Sequence, residues 1–571
     1  MDESGSVQGG RRVWSAQLKL RHLAREMGWF LMTSPRLASS EERAKALPSA
    51  LRAAALLATL AILVAGCGGG DSSTMAASSP TAASSSKKAG QPKGETVRAT
   101  RNAQVADFSL SLDPGASATI QFGPTTQYGF ETSSLSAPVR GGRVDLLVAG
   151  MLAHTTYHMR SVVQDADGSQ HIGDDHAFTT GGLPPARLPQ LSVARSGLAS
   201  PVSGIELLGL VPFGNREFKL IHSVATDLDG NLIWYYDSPG GEYPFPIKLL
   251  PNGHMLLNLI PKNSSGFRGL REIDLAGRVI QQISLSDLNS KLAAAHVPWR
   301  AGVIHHDFLT LPNGHLIVLV NYIKPFHNLR GFGPSTSVVG DALVDLNSHR
   351  KVVWTWSSFA HLDVNHHPLN FPDWTHSNAV IYSPDDGDLI VSMRDEDWVM
   401  KIAYENGLGD GHILWKLGPG GDFTLVGGTD PTDWNYAQHY PTIVSPNSSG
   451  IFQLGLMDNG NGRKFSDGSV CGTKGAPPCY SRAVIFQLDE NAHTATLVWQ
   501  DSPLPYSMCC GNTDLLNNGD IEFNLALSSP VAMVEEVTQQ NSPSLIWEMT
   551  IAGQLPYRAF RMPSLYPGVQ W

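Results

Sequence analysis

Three short stretches of this 571-residue chain each place a histidine just ahead of an apolar run. They read Val303-Ile304-His305-His306-Asp307-Phe308, Trp374-Thr375-His376-Ser377-Asn378-Ala379 and Tyr436-Ala437-Gln438-His439-Tyr440-Pro441. An imidazole with an ordinary pKa near 6.5 can act as acid, base, nucleophile or metal ligand at neutral pH. One such histidine is usually a hydrogen-bonded strand residue. Three in register across repeated units point to one shared site. His306 aligns better than His305, although a bulge could exchange them. Arg394 joins by arithmetic. The hairpin at Asp385-Asp386-Gly387 is flanked symmetrically by Asn378 and Arg394, which predicts near cross-strand neighbours. Three histidines alone suit a metal. A permanent guanidinium among them opposes a cation and favours a tetrahedral oxyanion such as sulfate or phosphate. The expectation is therefore no metal. Phe308, Trp374, Tyr436 and Tyr440, with His305, are candidates to contact an aryl substrate, each weighed against ordinary packing.

The elements that must position these residues are strands. Glycine and proline are abundant (56 and 37) and charged residues are few (16%), which favours turn-rich β structure. From about residue 190 onward a Leu-Pro-Asn-Gly-His hairpin, at Pro251–His254 and Pro312–His315, alternates with a "D-x-x-G-x-(apolar)-x-W" strand pair, as in Asp227–Trp234. Good copies recur about every sixty residues, so 190–571 holds about six units. Repeats of this kind predict a six-bladed β-propeller, in which the first strand of each blade lines the central channel. Rotation about its axis would bring the three histidines to one channel mouth. Residues 96–185 carry short alternating runs and a Tyr157 suited to a tyrosine corner, predicting a small fibronectin-III-like β-sandwich. It is expected to shape a substrate entrance or to carry homodimer contacts. The fold class is all-β.

The N-terminus reads as an address. Arg43, Lys45 and Arg52 precede the apolar run Ala53–Ala65, which is too short to span a bilayer. Val64-Ala65-Gly66-Cys67 looks like a lipobox, predicting lipidation at Cys67 and an exported periplasmic or cell-envelope lipoprotein held to the membrane only by that anchor. Residues 1–67 are thus extension and signal peptide, with Met32 a possible alternative start. Residues 68–95 are a flexible Ser/Ala/Gly linker. Cys471 and Cys479, in a Gly/Pro-rich loop, are expected to form a disulfide. Cys509-Cys510 is compatible with a vicinal disulfide or with two thiols. A net charge of −10 argues against a nucleic-acid partner. The chain carries no Walker loop or dinucleotide glycine fingerprint, so no nucleotide cofactor is expected.

The stretches "HHDFLTLPNGH", "DWTHSNAVIYSPDDGDLIVSMRDEDWVMKI" and "QHYPTIV" resemble the active-site segments of the bacterial arylsulfate sulfotransferases, exported six-bladed propellers that use no nucleotide sulfate donor. The resemblance implies that His439 becomes a transient sulfohistidine, while His306, His376, Asn378 and Arg394 hold the sulfuryl oxygens. It implies ping-pong transfer from an aryl sulfate to a phenol without a cofactor. Two other readings stay open at this point: a non-catalytic propeller binding an anionic ligand or protein, and a His-ligated metal-dependent hydrolase or lyase.

Overall fold

The Leu-Pro-Asn-Gly-His segments form the tight hairpin turns their composition demands. Leu250 N donates to His254 O and Leu311 N to His315 O, while Gly253 and Gly314 each take φ of 81°. That left-handed position is cheap only for glycine. The turn asparagines Asn252 and Asn313 accept from the N–H of His254 and His315. Both turn histidines pair with carboxylates, His254 with Glu272 (2.6 Å) and His315 with Asp345 (3.0 Å). Both rings brace their hairpins while staying partly exposed, 28% and 23%.

In this computed structural model, residues 92–184, 187–212, 219–262, 266–526 and 531–571 are described. The N-terminal extension, the signal segment with Cys67 and the linker up to residue 91 lie outside them. The described chain is all-β, built from many antiparallel sheets with two helices, Leu285–Ala294 and Ser358–His361. None of its helices is long and apolar enough to cross a membrane.

Six sheets follow one another after residue 190. The second, third and fourth are plain four-stranded meanders that begin at Tyr243–Leu249, Val303–Thr310 and Ser377–Ser383. The fifth begins at His439–Ser448 and the sixth at Thr513–Leu515, each with one extra outer strand. The first sheet is different. Its leading strand is the C-terminal segment Gln554–Met562, antiparallel to Ile205–Pro212. Central strands such as Asp388–Met393 are buried on both faces because sheets stack against each other.

The repeated tryptophans explain the stacking. Each lies on the fourth strand of its meander, which is the outermost one in the four-stranded sheets and has the extra strand beyond it in the fifth and sixth, and donates its indole N–H to the last hairpin turn of the next sheet. Trp234 reaches Leu275 O (2.8 Å), Trp354 reaches Gly409 O (2.9 Å), Trp415 reaches Glu490 (2.7 Å) and Trp499 reaches Gln540 O (3.1 Å). Trp547, in the sixth sheet, reaches Leu228 O of the first (2.9 Å), which returns the series to its start. A buried indole must satisfy its single donor, so each link couples a repeat motif to sheet order.

Two further sheets occupy the region Lys93–Thr179. The Tyr157 hydroxyl accepts from Leu152 N, five residues upstream (3.0 Å). Their apolar core continues into that of the first two of the six sheets, and the C-terminal Trp571 packs its ring on Phe122 and Phe130.

Cys471 and Cys479 form the expected disulfide. Closing so short a loop removes about 2–3 kcal/mol of unfolded-state entropy. Cys471→Ser is therefore expected to lower stability by about that amount in urea unfolding; unchanged stability would show that the bond does no such work. Cys509 and Cys510 are free thiols with their sulfurs in contact.

Candidate active site

The three histidine strands are all irregular at their starts. Ile304 faces Val320 and Phe308 faces Val318, so residues 305–307 bulge opposite one partner. Asn378 is an extra residue between the pairs Ser377–Met393 and Ala379–Ser392. Tyr440 and Pro441 bulge between the pairs His439–Met457 and Thr442–Gly455. His306, His376 and Tyr440 take left-handed φ of 55°, 45° and 42°. Such backbone in non-glycine residues costs roughly 1–3 kcal/mol each and persists only where surrounding contacts enforce it. Here the Tyr557 hydroxyl contacts both His306 O (3.1 Å) and Asn378 O (3.2 Å), and the Arg558 guanidinium donates to Asn378 O (2.6 Å).

The bulges turn the side chains toward one another. The His306 and His376 rings meet edge to face, with centroids 4.8 Å apart. His305 lies behind His306, with the two Nδ1 atoms 2.7 Å apart and its Nε2 3.2 Å from Asp341. His306 is thus the one that faces the other rings. His439 is buried with Nδ1 2.6 Å from Asn459 Oδ1. Its charge environment is set by Arg394, His376 and Arg558. His306 and His439 are 3% and 2% exposed, whereas the His376 side chain keeps 15%, so solvent reaches the cluster past His376.

Arg394 opens a one-turn 3-10 helix just beyond its strand, and its N–H donates to His376 O (3.3 Å). Its backbone partner is therefore His376 rather than Asn378: the hairpin pairs Ala379 with Ser392, a register that would bring Ser377 opposite Arg394, and the Asn378 bulge shifts it by one residue more. Its guanidinium pairs with Asp395 and donates to Met508 O (3.2 Å). Asn378 spends one amide N–H on Gln438 O (2.7 Å), tying the fourth sheet to the residue before His439.

The aromatic candidates divide. Tyr440 lies at the site, with the Arg558 guanidinium 3.8 Å above its ring. Phe308, Trp374 and Tyr436 are fully buried in three separate sheet-packing cores instead. Trp374 donates to His366 O and Tyr436 to Pro431 O, which satisfies their polar ends away from the histidines. Where a strand is buried on both faces, being beside a histidine does not mean facing the same cavity.

Several residues at the site lie outside the sequence reading: Arg558, Tyr557, Asn459, Lys248 and the carboxylates Asp307 and Asp373. Arg558 lies 3.1 Å and Lys248 2.6 Å from Asp307. Arg558 and Tyr557 escape the alignment because their strand leads the first sheet yet comes last in the chain, with no hairpin motif after it.

Electrostatics separates the histidines. Burial, then the nearby Arg394 charge, pushes His439 well below the usual imidazole range, so it is neutral at pH 7. His306 is likewise held down by burial and by His376. Burial also opposes charge on His376, but Asp373, 2.7 Å from its Nδ1, outweighs it and raises the group to about 9. One neutral imidazole thus lies within the electrostatic reach of a cationic imidazole and of a guanidinium. Asp373, His376 and Asp395 could together offer three metal donors. Asp373 is already paired with His376 and Asp395 with Arg394, so a cation would have to displace both pairs.

The arylsulfotransferase (ASST) family model matches residues 214–558, more than half of the sequence and all three histidine strands. The chain belongs to the arylsulfotransferase family. No curated protein matches it. Among solved structures, a candidate phosphatase from Bacteroides thetaiotaomicron VPI-5482 is similar to this arylsulfotransferase at 11% identity, covering 79% of this chain and 85% of that one. The TM-score is 0.28, and that likeness carries no argument here.

Proposed function

We propose that this arylsulfotransferase moves a sulfuryl group from an aryl sulfate to a phenolic acceptor in two steps through His439. In the first, the His439 lone pair attacks sulfur, an N–S bond forms, and the bond from sulfur to the phenol oxygen breaks. In the second, an acceptor phenol attacks the same sulfur and the N–S bond breaks. No nucleotide, metal or other cofactor enters. The observation that carries this reading is a neutral, buried His439 within the electrostatic reach of two cationic groups, His376 and Arg394. Such preorganised donors stabilise the oxygens of a transferring group at a cost already met in folding. His376, as the charged imidazole, is suited to protonate the departing phenoxide and later to take the acceptor proton.

Mixing the protein with aryl sulfate alone should release a burst of phenol equal to the enzyme present and leave a sulfuryl mass on His439. An unchanged protein mass without a burst would sink the covalent route and favour an anion-binding protein. Activity lost to chelators, with stoichiometric metal, would favour the metal-dependent reading instead.

The pH dependence follows from the two shifts. His439 must be neutral, and its depressed pKa keeps it so through the neutral range. His376 must be charged, and it loses its proton near 9. The burst rate is therefore expected to be flat across neutral pH and to fall with a midpoint near 9. An acid limb at the ordinary imidazole value would contradict this assignment.

The six sheets read best as blades of a six-bladed propeller over 190–571. The cyclic tryptophan links and the C-terminal strand that completes the first sheet support this. The two sheets of 96–185 read as a fibronectin-III-like sandwich, supported by the Tyr157 hydroxyl contact. Export and lipid anchoring at Cys67 complete the proposal, supported by the apolar run and lipobox-like sequence. A possible homodimer is an extension of the same reading.

A further inference from the structure

We propose that Asn459 is a positioning residue that fixes the tautomer of His439, so that Nε2 carries the lone pair that meets sulfur. This rests on the sulfohistidine reading above. Asn459 follows the strand Ile451–Asp458, whose Met457 is the register partner of His439, and it is fully buried. One atom of its carboxamide touches Ser507 O (2.9 Å) and Cys510 O (3.1 Å). Backbone carbonyls only accept, so that atom must be the nitrogen, with both of its hydrogens used. The other atom, 2.6 Å from His439 Nδ1, must then be the oxygen. An amide oxygen also only accepts, so Nδ1 must carry the proton. The second atom near Nδ1 is Ala437 O at 3.3 Å, again an acceptor. In a neutral ring this leaves the lone pair on Nε2. Two carbonyls on the 507–510 loop thus set which nitrogen of a histidine in another part of the sheet is nucleophilic. Asn459 stays fixed because its nitrogen is bonded to both carbonyls.

The test combines a spectrum with kinetics on the full chain. With nitrogen-15-labelled histidine, His439 should show a protonated Nδ1 and an unprotonated Nε2 at neutral pH. A resting Nε2–H ring would overturn the proposal whatever the activity. Asn459→Ala should slow the burst by up to about 10⁴-fold, the scale for loss of a tautomer-fixing acceptor, with KM for the aryl sulfate within about threefold. Asn459→Asp keeps the acceptor toward Nδ1 but sets its second oxygen against the Ser507 and Cys510 carbonyls, so the burst should be slower than wild type yet faster than in Asn459→Ala, and its acid limb should move up because a carboxylate favours the imidazolium. Equal losses in both variants with an unmoved acid limb would mean a merely structural role and overturn the proposal. If the wild type forms no adduct on His439, the functional reading fails, while the nitrogen spectrum still decides the tautomer.

Discussion

His439→Asn is expected to abolish both the phenol burst and the covalent adduct, with turnover down on the order of 10⁴–10⁶-fold, the scale seen when a nucleophile is removed. His376 is held charged by Asp373, so it has no free lone pair with which to take over. The fold should survive. The substitution loses one buried hydrogen bond, to Asn459 Oδ1, at a cost of about 1–3 kcal/mol. The measurement is a burst assay and intact mass beside a thermal melt. A folded variant with full transfer would mean that the nucleophile is another group.

The second large effect belongs to Arg394. Arg394→Leu should cut the burst rate about 10²–10³-fold, the scale for removing one preorganised donor from a transferring group. It removes the permanent charge beside His439 and leaves the buried Asp395 without its partner. Because that charge helps to depress the His439 pKa, the acid limb of the pH profile should also move upward. An unpaired buried carboxylate is destabilising by about 3–5 kcal/mol, so the loss has two sources. The double variant Arg394→Leu/Asp395→Asn separates them. It should regain stability without regaining rate. Recovery of transfer along with stability would place Arg394 in the framework alone.

The local sequence carried the pieces that repeat. The Pro-Asn-Gly-His turns need a glycine with left-handed backbone, so their geometry is written in four residues. The aspartate–tryptophan strand pairs and the three pre-strand histidines could be aligned for the same reason, and Arg394 followed from counting around one hairpin. The Cys471–Cys479 pairing was legible from its short, Gly/Pro-rich loop.

What only the tertiary structure decided depends on contacts between segments far apart in sequence. Asn378 is extra in its strand, and that bulge brings Arg394 opposite His376 instead of Ser377, a one-residue slip that period-two counting cannot detect. Phe308, Trp374 and Tyr436 sit in packing cores because their strands are buried on both faces, and alternation gives no sign of which side meets the cavity. Arg558 and Tyr557 reach the site because the last strand of the chain pairs with Ile205–Pro212, a closure that no local pattern encodes. The sequence by itself thus determined which residues the repeats offer to the site. The pairing and stacking of the sheets determined which of them meet, and burial together with Asp373 and Arg394 determined which histidine is neutral and which is charged.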